Sequence, residues 1–465
     1  MPMTAESNLP TRWMSYDDMV YTLRLFFRSL LPARVLGLYY WGIAQCAAWW
    51  YAHPSRDMII IGVTGTNGKS TTVNMIGRIA EGAGYRVGWT STANYKVDQL
   101  VWLNDTKMTM AGRFYTQRLL HQMKKNHCEI AVVETSSQGL AQSRHVGIEY
   151  DIAVFTNLSP EHLESHGGYD QYRRAKGILF GALAGTRRKK FGNVMLPKTI
   201  VANLDDDAAG YVLLFSAEQR IGYTLQDPSP TRVPVDRTVS ATIVKGGEKE
   251  SRLDVDGCIV TVRLPGRFNA YNAVAAIAAT SALDIPISTA AGVLQQMTVM
   301  PGRVEWVDEG QPFRAMVDYA PEPESLRQLY EFLSTVPSHR IIHVLGSAGG
   351  GRDRARRPVM GSIAARNADV VIITNEDPYD EDPQQIMNEV AAGASAATDG
   401  RMKELRTIMD RRDAIGTAVR TARAGDLLLV TGKACEQAIC VAGGKKIPWD
   451  DRVVLREEIR KNSGA

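Results

Sequence analysis

The sequence predicts an α/β protein: a central parallel-sheet domain with a phosphate-binding loop (P-loop), followed by a Rossmann-like α/β C-terminal domain. Three observations predict it. Isoleucine- and valine-rich runs at 58–63, 130–133 and 152–155 are short and apolar. The latter two lead directly into polar residues, as buried parallel strands do where their ends converge on a ligand. A glycine-rich loop containing a lysine separates the first run from a stretch with helical periodicity at 71–81. Beyond Pro301-Gly302-Arg303, apolar runs at 341–345, 370–374 and 427–430 again alternate with helical stretches.

The 465 residues suffice for roughly three domains. We expect a short apolar helical segment at 1–57, the central domain at 58–298 and the C-terminal domain at 299–465. With 45% apolar and 22% charged residues the chain can bury large cores, which excludes a disordered or disulfide-stapled protein. A net charge of +4 creates no strong field for nucleic acid. Five scattered cysteines without a C-x-x-C pair fit a reducing cytosol and argue against structural zinc.

The first element is an uncharged run from Val35 to Tyr51, and four of the eight tryptophans (Trp13, Trp41, Trp49, Trp50) fall in the first 50 residues. It is shorter than the ~20 residues of a bilayer span and is interrupted by Gln45. Packing on the main body, peripheral membrane contact and a true span are the competing readings; a soluble helical segment is preferred.

The next element carries the strongest signal. Between the 58–63 run and the helix lies Thr64-Gly65-Thr66-Asn67-Gly68-Lys69-Ser70. The pattern G-x-x-x-x-G-K-[ST] is not met, because Val63 stands where its first glycine belongs. The chemistry is nevertheless present. Gly65 and Gly68 let backbone N–H groups approach phosphate, Lys69 supplies a point charge, and Ser70 can offer its hydroxyl to Mg²⁺. Strand, loop and helix in that order predict a nucleoside triphosphate site.

Ile130–Val133 then runs into Glu134-Thr135-Ser136-Ser137, placing Glu134 at a strand end as a metal carboxylate, with a buried ion pair as the alternative. His162 follows the Phe155 strand end, and Lys176 lies 14 residues further in a helical stretch. By spacing alone Lys176 reads as a surface lysine. Gly246-Gly247 and Asp256-Gly257 mark hairpins between 221 and 262. In the C-terminal domain the Ala-rich run 390–397 reads as a helix of small residues.

Taken together, GTNGKST, ETSSQGL, TNLSPEHLESHGGYDQYRRAKGILF, NLDDD, LPGRFNAYNAVAAIA, PGRVEWV, VDYAPEPESL, GRDRARRPVMG, NEDPYDEDP, GKACEQ and WDDR resemble, in order, the motifs of the Mur ligase family. The resemblance covers 58–465 and is strongest to the branch that adds the third residue of the peptidoglycan stem peptide. It implies ATP-driven amide formation through an acyl phosphate. The partners it implies are a UDP-linked muramoyl peptide and a free amino acid, with ATP and Mg²⁺ as cofactors.

Carried over by position, the resemblance implies that Gly65, Thr66, Asn67, Gly68, Lys69, Ser70 and Thr71 hold the ATP phosphates. Ser70, Glu134 and His162 would hold Mg²⁺, and Lys176 would be N-carboxylated. Asn272, Arg303 and Asp318 would contact the nucleotide, and Ser136 and Arg144 the muramoyl peptide. Arg352 would bind the incoming amino acid's carboxylate, with Asn375, Asp377, Gly432 and Glu436 around its side chain.

Several positions depart from the family pattern. Glu161-His162 replaces Asp-His, and Pro321 replaces a histidine. The loop Gly346–Arg352 is one residue longer than usual. Asp377-Pro378-Tyr379 replaces the Asn-Pro-Arg of diaminopimelate-selecting members, and Ala434-Cys435 replaces Gly-His before Glu436. Only 57 residues precede the strand at 58, where the family carries a domain for the uridine diphosphate end. That shortage predicts either another way of holding the nucleotide end or a shortened or membrane-borne substrate. The rival readings are another amide ligase of folylpolyglutamate or cyanophycin type, and a nucleotide-binding paralogue without turnover.

Overall fold

Runs of branched residues with no polar position can only be buried on both faces, and they form the middle of a large sheet. The computed structural model describes residues 32–161, 163–226, 234–298 and 300–463. Strand β1 (Ile59–Thr64) lies between β5 (Ile130–Glu134) and β6 (Ile152–Phe155), parallel to both. Every residue of the three is buried. Beyond β5 come β2 (Val87–Thr90), β3 (Asn94–Val97) and β4 (Leu100–Leu103). Beyond β6 come β9 (Thr199–Asn203), β10 (Gln219–Thr224), β11 (Arg237–Lys245), β12 (Ser251–Val255) and β13 (Cys258–Val262). A separate small hairpin pairs β7 (Lys190–Phe191) with β8 (Val194–Met195).

The sheet has eleven strands, and those from β11 to β2 run parallel. Both edges turn antiparallel. The hairpin turns expected at Gly246-Gly247 and Asp256-Gly257 join β11 to β12 and β12 to β13. The helices Lys69–Gly82 and Arg267–Ser281 pack against each other on one face, and Tyr169–Ala184 lies on the other. Because β1, β5 and β6 point the same way, residues 65–70, 134–137 and 156–161 all emerge at one edge.

The second sheet runs β14 (Glu305–Val307), β15 (Arg314–Asp318), β19 (Leu427–Thr431), β16 (Ile341–Leu345), β17 (Val370–Thr374), β18 (Glu404–Ile408). All neighbours except β14 and β15 are parallel. The predicted strands at 341–345 and 370–374 have those bounds, and the one at 427–430 extends to Thr431. A further pair joins β20 (Ala438–Cys440) to β21 (Lys446–Pro448). The predicted small-residue helix is the end of Pro383–Ala396, where Gly393 packs against the Pro358 backbone of helix Arg356–Asn367. Loops 319–322, 346–352, 375–379 and 432–436 leave the strand ends that face the first sheet's polar edge.

The 35–51 run lies in helix Ala33–Trp50, which packs on helix Arg113–Lys125. Its small residues Ala44, Ala47 and Ala48 are buried, while Leu38, Trp41, Trp49 and Trp50 face outward. The Arg113 guanidinium stacks 4.3 Å above the Tyr40 ring. Among the described residues no helix is long and apolar enough to cross a membrane. Trp13 lies outside the described residues.

The two sheets are clasped directly. Asn67 Nδ2 donates to Glu322 Oε1 at 2.8 Å. The Glu164 N–H donates to Asp353 Oδ1, and the Arg354 N–H donates to Glu164 Oε1.

Candidate active site

The helix after the loop begins at Lys69, two residues before the stretch read from periodicity, so Lys69 and Ser70 are its first residues. Its N-terminal N–H groups and partial positive charge therefore face the loop, as an anion site requires. The loop is held open from beneath. Asn157 Oδ1 accepts from the backbone N–H of Thr66 (3.2 Å) and Asn67 (2.8 Å). Gly68 sits at φ 79°, where a side chain would be strained and would collide with Asn272 Oδ1. A Cβ on Gly65 would run into Thr156 Oγ1.

Lys69 Nζ donates to the Thr66 carbonyl at 2.7 Å. Glu134 is buried at the end of β5, and no cation among the described residues pairs with it. Its carboxylate accepts from Ser70 Oγ (2.8 Å), from the Thr92 N–H (2.7 Å) and from Thr92 Oγ1 (2.9 Å). Among the described residues these hydrogen bonds hold it, with no lysine or arginine at ion-pair distance. A buried carboxylate beside a serine hydroxyl is a hard oxygen-donor set that suits Mg²⁺. His162 lies outside the described residues.

Lys176 is not a surface lysine. It is 3% exposed, its Nζ donates to the Gly65 carbonyl at 2.6 Å, and it lies 4.5 Å from the centre of the Tyr172 ring. Burial, reinforced by the charge of Lys69, holds its pKa well below the ordinary lysine value, against the opposing pull of Glu161 and Asp206.

The remaining residues divide between two cavities. One, lined by Lys69, Glu134, Ser136, Lys176, Arg303, Arg352, Asp377 and Glu436, runs from the loop to the C-terminal strand ends and also touches Glu161, Pro321 and Glu376. The other, about 570 Å³, lies between the halves and is lined by Asn203, Asp205, Phe268, Tyr271, Asn272, Arg303 and Asp318. Its size is that of a small-molecule pocket, roughly 300–1,000 Å³. Arg303 belongs to both; its guanidinium lies 4.7 Å over the Tyr319 ring, and its Nε has no hydrogen-bond partner among the described residues. Asp318 accepts from the backbone N–H groups of Val304 and Ala320, and burial raises its pKa although Arg303 pulls it down.

At the far end of the first cavity, Asp377 and Glu436 share two ammonium groups. Lys433 Nζ lies 2.9 Å from Asp377 Oδ2 and 2.7 Å from Glu436 Oε2. Lys107 Nζ, reaching across from the loop after β4, lies 2.7 and 3.1 Å from the same two oxygens. Tyr319 donates its hydroxyl to Glu436 Oε1 at 2.9 Å.

Two expected residues stand apart. The Arg144 guanidinium donates to the Met110 carbonyl and to Gln142 Oε1 and lines neither cavity. Asn375 gives its carbonyl to Arg411, and its neighbour Glu376 lines the cavity instead. Gly432, at φ 111°, is positioned by Glu376, which leaves no room for a Cβ there. Thr92, Asn157, Glu322, Lys107 and Lys433 were not anticipated. Asn157 had a signal, as a polar residue just past an apolar strand; Lys107 had none, since its partners are about 270 residues away and more.

Comparison with known proteins follows the same division. The family model "Mur ligase middle domain" matches residues 63–280, and "Mur ligase, glutamate ligase domain" matches 302–434. The chain is 36% identical to the UDP-N-acetylmuramyl-tripeptide synthetase of a Roseiflexus species, over 90% of this chain and 81% of that one. It is likewise 36% identical to the UDP-N-acetylmuramoyl-L-alanyl-D-glutamate–2,6-diaminopimelate ligase of Geobacillus thermodenitrificans, over 88% and 81%. A solved structure of a ligase of the latter name superposes with a TM-score of 0.55 at 28% identity, covering 87% of this chain and 79% of that one.

Proposed function

The chain belongs to the Mur ligase family of ATP-dependent, ADP-forming amide ligases, and on that premise we propose that it joins a diamino acid to UDP-N-acetylmuramoyl-L-alanyl-D-glutamate in peptidoglycan precursor synthesis. The observation that carries this reading is the continuous cavity linking Lys69, Ser70 and Glu134 to Arg352, Asp377 and Glu436. A phosphoryl-transfer end and an amino-acid end open on one space.

A substrate carboxylate oxygen bonds to the γ-phosphorus as the β–γ bridging P–O bond breaks, giving an acyl phosphate and ADP. The amino group of the incoming residue then attacks the acyl carbon. The C–O bond breaks, phosphate leaves, and the nitrogen gives up a proton. Both steps concentrate negative charge at the loop, where Gly65 to Thr71 present N–H groups and Lys69 its ammonium. Ser70 and Glu134, with His162 as the family resemblance implies, would hold Mg²⁺, which would supply further positive charge to the phosphoryl oxygens. Asn272, Arg303 and Asp318 hold the nucleotide in the second cavity. Ser136 meets the muramoyl peptide, and Arg352 takes the amino acid's carboxylate beside Asp377 and Glu436. The clasp between the halves keeps water from the acyl phosphate.

Phosphate release from ATP, measured with this dipeptide substrate and single amino acids, tests the reading. Release should require both the dipeptide and a diamino acid, with 2,6-diaminopimelate the first candidate. No release with any diamino acid would remove the proposed substrate. The catalysis belongs to the cytoplasm, and the outward face of Leu38, Trp41, Trp49 and Trp50 supports peripheral membrane contact. In vesicle flotation, the triple change of those tryptophans to serine should abolish co-flotation; equal recovery of both proteins would refute the contact.

A further inference from the structure

Four arginines stand close together at 352, 354, 356 and 357, and three of them have a task. Arg354 Nη2 lies 3.3 Å from Glu381, and Arg357 is clamped between Glu381 (2.8 Å) and Glu389 (2.7 Å). Arg352 is the residue read above as holding the amino acid's carboxylate. Arg356 is left over. It is the first residue of helix Arg356–Asn367 and only 8% exposed, yet its guanidinium makes no ion pair and no hydrogen bond to any described residue. Its Nε is enclosed without a partner, and the side chain lines the same cavity as Lys69, Glu134 and Lys176.

A buried charge with no partner is costly. Burial, and then the charge of Arg352, hold the Arg356 pKa below the ordinary arginine value, while Glu376 and Glu161 pull the other way without pairing with it. Arginine cannot shed its proton to escape that cost, so the charge is settled only when an anion enters the cavity. The partial positive charge at the start of its helix favours the same anion. A carboxylate brings one charge and two oxygens, which a single guanidinium satisfies in a bidentate pair. A phosphoryl group in transfer brings three oxygens that share the developing charge, enough for Lys69 and a guanidinium together.

We propose that Arg356 is a catalytic residue that contacts the transferring phosphoryl group from the C-terminal half, as Lys69 does from the first. This rests on the ligase reading above. As the carboxylate oxygen bonds to the γ-phosphorus and the β–γ bridging P–O bond breaks, negative charge spreads over the phosphoryl oxygens, where a guanidinium stabilises it. When the amine attacks the acyl carbon and the C–O bond breaks, the electron pair leaves with phosphate, and the same guanidinium meets it.

The test measures kcat, and KM for ATP, dipeptide and amino acid, by phosphate release in the wild type, Arg356→Met and Arg356→Lys, with thermal melting as the check on folding. R356M should lose ~10²-fold in kcat, the scale of one preorganised donor to developing charge, with each KM within about 3-fold of the wild type. R356K should recover part of that loss, because it restores the charge but not the two-pronged guanidinium. R356Q, which retains a polar end, answers the same question should R356M fail to fold. Wild-type kcat in the neutral variants once dipeptide and amino acid are saturating would make Arg356 a binder of a substrate carboxylate. R356K no faster than R356M would show that the charge is not used. Either result overturns the proposal and leaves the ligase reading intact. A wild type that releases no phosphate with the dipeptide and any diamino acid would defeat both.

Discussion

Lys176→Ala is expected to lower kcat by ~10²–10³-fold, the scale of losing one preorganised charge at a reacting phosphoryl group. The argument begins with burial. An amine that is 3% exposed and close to the charge of Lys69 is held well below the ordinary lysine pKa, which favours its neutral form. A neutral amine has a free electron pair, and that pair can attack carbon dioxide. An N–C bond forms, the nitrogen loses a proton, and a cation becomes a carbamate anion. At this position the anion would face the cavity that Lys69 and Glu134 also line. Three results separate that role from simple packing. Wild-type activity should fall in carbon dioxide-depleted buffer and return with bicarbonate. The fall should deepen as pH drops, because protonating the amine reverses the addition. Short carboxylic acids should partly restore K176A. Full activity in K176R would show that a plain cation suffices and would end the carbamate reading.

The burial of Lys176 was legible in the sequence, but not by counting from His162. Tyr172, Lys176, Leu179 and Leu183 recur at helical spacing, and all four are buried on one side of helix Tyr169–Ala184. A lysine on the apolar stripe is the signal. The P-loop was legible because strand, glycine loop and helix start are contiguous in the chain, even with the first glycine displaced. Thr92 and Lys107 were not. Each reaches its partner across the fold, Thr92 to Glu134 and Lys107 to Asp377, and no local pattern reports such a meeting. The N-terminal helix shows the same limit. Its existence followed from the uncharged run, but its inward face is made of alanines rather than aromatics. Small side chains let it approach closely, with Ala48 against Gly147, and the tryptophans are left outside.

Lys69→Ala carries the largest expected loss, ~10³-fold in kcat/KM for ATP. In this structure its ammonium rests on a neutral carbonyl, Thr66 O, and has no carboxylate partner among the described residues, so nothing of opposite charge must be displaced when phosphate arrives. Most of the loss should fall on kcat, because the charge that Lys69 meets grows on the β–γ bridging oxygen as the bond breaks. ATP affinity, measured separately by equilibrium titration, should weaken far less; a loss confined to affinity would assign Lys69 to ground-state binding. A second consequence follows from its neighbour. The charge of Lys69 helps to depress the pKa of Lys176, so removing it lets that pKa rise and leaves less neutral amine for carbon dioxide. K69A therefore removes part of what K176A removes. The double variant should lose markedly less than the product of the two single losses, as residues acting as one unit do. A strictly multiplicative loss would show two independent charges and would break the physical link between the P-loop and the buried lysine.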